Sequence, residues 1–182
     1  QQDRHTSAIS ASIVLVLLAL LAAAPAATQT GRTILYVDAD ATAGANDGTS
    51  WANAYTTLQQ ALDATNAHGA TDYEIWVAQG LYYPDQGGSH VNNSRTESFR
   101  IAWDNLHLYG GFDPSSGAGE WSERDPAAHV TVLSGDIDGD GALTGNAYHV
   151  LYLDGVTNAP ISSATVIDGL VITAGNANGA WP

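Results

Sequence analysis

The chain has 182 residues, a formal net charge of −14 and neither Cys nor Met. Its composition, 45% hydrophobic and 13% charged, is that of a folded chain with room for one modest domain, and it excludes wholesale disorder. Five basic residues, all Arg, against 19 acidic ones exclude a nucleic-acid footprint, and the lack of Cys excludes disulfides, thiol nucleophiles and thiolate metal sites.

With no Met at its start, the numbering is expected to open inside a longer reading frame or after Met removal. Residues 1–26 read as a secretory signal. The apolar run Ala11 to Ala24 is shorter than the ~20 residues of a bilayer span, and Ala24-Pro25-Ala26 supplies the small-residue cleavage pattern, with the cut placed after Ala26. An N-terminal anchor is the alternative, and both predict export. Residues 27–32 form a polar linker, and residues 33–182 the folded part, with no membrane span left after cleavage. An acidic, Cys-free exported chain points to a bacterial surface or extracellular setting. Asn92-Asn93-Ser94 is a formal glycosylation sequon that reads there as a polar loop.

Thr33 to Asp38 is a short run of β-formers, followed by a Gly/Asn/Asp loop from Ala39 to Thr49. Ser50 as N-cap, with Trp51, Tyr55, Leu58 and Leu62 at helical spacing, predicts an amphipathic helix ending near Ala64, with His68-Gly69 as the stop. The rest reads as short strands over residues 74–77, 98–101, 106–109, 130–133, 149–153, 165–167 and 170–173, nearly all punctuated by Gly or Asp. Two loop-like excursions, residues 84–97 and 113–129, interrupt them. The later strand groups recur at intervals of ~20 residues, the scale of a solenoid rung. The expected fold is therefore mainly β, a solenoid of stacked rungs, with the helix near Tyr55 covering the first rung and further rungs following the last.

Ile34-Leu35-Tyr36-Val37-Asp38, Asp47 to Tyr55 (DGTSWANAY), Ile75 to Pro84 (IWVAQGLYYP), Leu108-Tyr109-Gly110-Gly111-Phe112, Leu133-Ser134-Gly135-Asp136, Asn146 to Val150 (NAYHV) and Ile167 to Ala177 (IDGLVITAGNA) resemble, in the same order, the opening of secreted bacterial right-handed parallel β-helix proteins of the pectin-lyase-like superfamily. The likeness covers roughly residues 33–179. It implies a right-handed parallel β-helix, often continued by further rungs and a surface-sorting region. It does not choose an activity, because the superfamily includes lyases, hydrolases, epimerases and adhesins.

Asp136-Ile137-Asp138-Gly139-Asp140-Gly141 matches the front of a calcium loop, D-x-D-x-D-G, in which oxygen ligands wrap a hard cation. Ala147 stands where a bidentate Glu would complete an EF-hand, so the expectation is a structural Ca²⁺ site built from Asp136, Asp138, Asp140 and loop carbonyls. The plainer reading is an acidic corner between rungs. Among the aromatic residues, Trp51, Tyr55 and Trp76 are expected in the core beneath the helix. Trp103 and Trp121, beside Asp104 and Glu120, are the candidates for stacking on polysaccharide.

Carboxylates held about 5–9 Å apart support glycoside hydrolysis, and Asp104, Asp113, Glu120, Glu123 and Asp125 are the loop candidates. Lyase chemistry needs a base, for which Arg95, Arg100 and Arg124 are the choices, although Arg124 between Glu123 and Asp125 reads as a solvated salt-bridge residue. His68, His90, His107, His129 and His149 show no pair at metal-ligand spacing. No active-site constellation emerges and no catalytic residue is assigned. The expected function is an exported surface or extracellular scaffold that contacts polysaccharide, without catalysis by this stretch. The rivals are a Ca²⁺-assisted polysaccharide lyase or glycoside hydrolase with its groove on downstream rungs, and a structural adhesin stalk.

Overall fold

The computed structural model describes residues 31–69 and 72–179. The signal segment, its apolar run Ala11 to Ala24 and most of the linker lie outside the described residues. No helix among the described residues is long and apolar enough to cross a membrane.

Nine short strands and one α-helix make up the regular structure. They are β1 (Thr33–Val37), α1 (Leu58–His68), β2 (Tyr73–Ala78), β3 (Gly80–Tyr82), β4 (Phe99–Ile101), β5 (His107–Phe112), β6 (Thr131–Ser134), β7 (Leu151–Leu153), β8 (Val166–Asp168) and β9 (Leu170–Thr173). The strands form three sheets in the orders β1-β2-β5-β8, β3-β6-β9 and β4-β7. Every strand pair is parallel. The chain is thus mainly β, with parallel sheets and little helix.

Side chains alternate across each strand, so residues two apart share a face. Leu35, Ile75, Leu108 and Ile167 are in register across the first sheet and form an aliphatic ladder facing the core. Tyr82 on Leu133 adds a second sheet, and Phe99 and Ile101 of β4 add the third. These positions recur at steps of 40, 33 and 59 residues along the first ladder. The interval of ~20 residues expected from the strand groups is therefore corrected: it joins strands of neighbouring sheets, whereas residues that stack are separated by a whole circuit plus loops of unequal length.

The helix begins later than its apolar spacing predicts. Trp51–Asn53 is a separate 3₁₀ turn, and Tyr55 makes a parallel bridge to Val37, which holds residue 55 extended. The α-helix starts after Thr57, whose backbone N–H donates to Gln60 Oε1 at 3.2 Å, half of a capping box. It stops at Gly69, whose φ of 78° supplies the left-handed C-cap. Leu58, Ala61, Leu62 and Thr65 are its buried face, packed against β4, β1 and β2.

A β-bulge shapes the middle of the first sheet. Val77 pairs with Gly110 but Ala78 pairs with Phe112, so Gly111 is the extra residue, at φ 98°. The hydroxyl of Thr131, fully buried, accepts from Gly111 N–H at 3.0 Å and donates to the Ala78 carbonyl at 3.0 Å. The outermost strands leave Leu153, Val171 and Ile172 about half exposed.

Two aspartates staple loops to this frame. Asp104 accepts from the Ser162 hydroxyl (2.7 Å), the Ser162 N–H (2.8 Å) and the Thr165 hydroxyl (2.9 Å). These bonds, led by that of the Ser162 side chain, hold its carboxyl down at about 2. The Thr157 hydroxyl, and then the Arg100 guanidinium, hold the Asp154 carboxyl well below the ordinary range. Both folded values lie below the unfolded value, so the stability these groups confer is complete above about pH 4 and lost as pH falls toward 2. Asp104→Asn and Asp154→Asn should therefore melt lower than the parent at pH 7 and show a shallower loss below pH 4. Acid limbs unchanged by both substitutions, followed by circular dichroism, would count against this account.

Candidate functional site

The acidic loop after β6 brings Asp136, Asp138 and Asp140 together: one carboxylate oxygen from each lies within 4.8 Å of the others. The turn is local. Gly139 and Gly141 sit at positive φ, Gly139 N–H donates to Asp136 O at 3.2 Å, and Gly141 N–H donates to Asp136 Oδ2 at 3.2 Å. Asp138 lies against Gly145, where a Cβ would meet its carboxylate at 2.1 Å. Two ligands on opposite sides of Ca²⁺ stand at most ~4.6–5.2 Å apart, twice the Ca–O bond length, so the three oxygens fit one ion. Asp136 Oδ1 is shielded from solvent and accepts no hydrogen bond.

A second constellation covers the outer face of the first sheet. Tyr36, Trp76 and Tyr109 are in register on the side opposite the aliphatic ladder, and the bulge adds Phe112 beside them. Phe112 stacks on Trp76 with centroids 4.8 Å apart and planes at 8°. Trp51 reaches in from its 3₁₀ turn, 4.8 Å from Tyr36, and donates its indole N–H to Gly119 O at 2.8 Å. Trp121, in a 3₁₀ turn of the β5–β6 excursion, meets Tyr109 edge-on at 4.8 Å and remains 39% exposed. Burial raises the Tyr36 and Tyr109 hydroxyls, and the carboxylates of Glu120 and Glu74 respectively raise them further, so both stay neutral donors. Trp51 and Trp76 therefore do not lie beneath the helix as expected. Trp76 is buried at 4% exposure, but among rings outside the aliphatic core, because it alternates with Ile75 and Val77. Tyr55 does pack against the core.

Arg124 is not solvated. Its side chain is 12% exposed, pairs with Asp168 of β8 at 2.7 Å, donates to Gly110 O at 2.6 Å and lies 5.3 Å from the Trp121 ring. Arg100 pairs with Asp154, and Arg95 donates to Asn146 O at 2.6 Å and lies 4.3 Å over Tyr148. All three lyase-base candidates are thus engaged as structural donors.

The hydrolase candidates are equally committed. Asp104 holds Ser162 and Thr165, Asp113 accepts from the Ser115 and Ser116 backbone, Asp125 from Ala127 and Ala128, and Glu123 from Glu120 N–H. Trp103 is half-buried and donates to Asn66 O of α1 at 3.2 Å, whereas Trp121 belongs to the aromatic face, so different elements hold these two stacking candidates. Phe112, Arg124 and Asp168 are the members of that face that sequence reading passed over, and the register of the parallel ladder is the signal that finds them. No protein-family model, curated protein or solved structure matches the chain.

Proposed function

We propose that this chain is the opening part of an exported, right-handed parallel β-helix that acts as a surface or extracellular scaffold, holds Ca²⁺ at Asp136, Asp138 and Asp140, and touches polysaccharide through Trp121. The observation that carries the scaffold reading is the order in which strands visit the sheets. β2, β3 and β4 are followed by β5, β6 and β7, each on the parallel partner of its predecessor, and β8 and β9 repeat the first two visits. Parallel crossovers are overwhelmingly right-handed, which sets the hand. The half-exposed Leu153, Val171 and Ile172 support further coils stacking on that end. An enzyme of the lyase or hydrolase type draws no support from arginines and carboxylates already spent on turns and ion pairs.

Melting of the full chain tests the reading. For an extracellular-type Kd of about 10⁻⁴–10⁻³ M, 10 mM CaCl₂ contributes about 1.4–2.7 kcal/mol, or a rise in Tm of about 3–10 °C. Asp138→Asn should abolish that rise. A panel of soluble acidic and neutral polysaccharides should raise Tm again in the parent and not in Trp121→Ala. Identical melts with and without Ca²⁺ would reduce the loop to an acidic corner, and release of reducing ends or unsaturated uronates would replace the scaffold with an enzyme.

A further inference from the structure

We infer that His90 and Asp63 form a zinc site, with Glu97 as the positioning residue of the histidine. The site lies where the β3–β4 excursion crosses α1, and it shares no residue with the acidic loop or the aromatic face. His90 Nδ1 stands 2.6 Å from Glu97 Oε2. A carboxylate oxygen only accepts, so Nδ1 carries the proton. Gln59 does not compete, because its amide nitrogen donates to the carbonyls of Pro84 and Ser98.

The other ring nitrogen, Nε2, is shielded from solvent and has no hydrogen-bond partner. It faces Asp63 Oδ1 at 3.6 Å, too far for a hydrogen bond. In the neutral ring Nε2 carries a lone pair, so two electron donors face each other across a gap with no hydrogen between them. An ion bonded to both at zinc distances, about 2.0–2.2 Å, spans 3.6 Å at an angle of about 120°, near tetrahedral.

The approach is built into the chain. Gly88, at φ 59°, lets the loop backbone come so near that a Cβ would meet Asp63 Oδ2 at 2.8 Å, and at Gly87 a Cβ would meet Thr57 Oγ1 at 2.0 Å. The His90 and Glu97 side chains are about one-fifth exposed while Asp63 is half exposed, which leaves an open flank for entry and for the water ligands that complete the shell. Imidazole with carboxylate suits Zn²⁺, and a carboxylate on the far ring nitrogen is the usual support of a zinc-bound histidine. Bound zinc would clasp the excursion to the helix.

Isothermal titration of the full chain with ZnCl₂ at pH 7.5, in millimolar CaCl₂ to occupy the acidic loop, tests the inference. One Zn²⁺ per chain is expected. Asp63→Asn, at a half-exposed helix position that tolerates the change, should weaken binding tenfold or more, and Glu97→Gln by about 10–100-fold. His90→Gln should remove it, with circular dichroism confirming that the fold persists. For Glu97, the Co²⁺-substituted spectrum adds a readout that a merely structural role would leave unmoved. Absence of zinc binding, or parent-like binding by both Asp63→Asn and His90→Gln, overturns the site. So does a His90 ring found protonated on both nitrogens by NMR in the presence of zinc, since a proton would then fill the gap.

Discussion

Phe112→Ala is expected to destabilise the fold by about 3–5 kcal/mol, as much as a deletion in the aliphatic core, although Phe112 faces away from that core. The ring is fully buried, lies flat on Trp76 and is ringed by Trp51, Trp121 and the Arg124 guanidinium. Its removal leaves a cavity whose walls are large rigid rings, which collapse poorly into a void. It also takes away one support of Trp121, so tryptophan emission should shift to the red before global unfolding begins. Val156→Ala, at a 90% exposed position, is the control and should stay within about 0.5 kcal/mol of the parent. A Phe112→Ala variant as stable as that control would show that the outer face is a loose veneer.

The outer face also marks where sequence reading stops. Short β runs are visible from local composition, and the parallel architecture follows from their length and spacing. What local composition cannot show is which face of a strand is covered when both are. β2 is buried at every position from Glu74 to Ala78, so the alternation that assigns inside and outside vanishes, and Trp76 reads as core beneath the helix. Gly80 misleads in another way: read as a terminator, it instead turns the corner at φ 144° and begins β3. At the helix, the spacing of Trp51 and Tyr55 competes with the signal Thr57-x-x-Gln60. The bridge from Tyr55 to Val37, a tertiary contact, decides for the second.

Legibility of the sites follows the same divide. Asp136, Asp138 and Asp140 converge because a single turn brings them together, and that geometry is written in their spacing. Asp63, His90 and Glu97 come from a helix and a distant excursion, and no spacing rule links them. Arg124, flanked by Glu123 and Asp125, finds its partner instead in Asp168, because the excursion folds back over the sheet.

Thr131→Val should cost about 2–4 kcal/mol despite preserving shape. The hydroxyl is the sole side-chain group at the bulge: it satisfies the Gly111 N–H and the Ala78 carbonyl in a place water does not reach, and each buried group left unpaired costs about 1–3 kcal/mol. The neighbouring glycines show how tight the place is. A Cβ on Gly110 would meet Gly169 O at 2.5 Å and Thr131 Cβ at 2.8 Å, so the backbone cannot shift to find other partners. Thr131→Ser keeps the hydroxyl and should recover most of the loss, separating the hydrogen bonds from the methyl group. Because the bulge is what aims Phe112 at Trp76, Thr131→Val and Phe112→Ala act on one unit. A double-mutant cycle by urea denaturation should find the pair less costly than the sum of the two by 0.5 kcal/mol or more. Strict additivity would mean that the rings choose their own positions and the bulge merely follows.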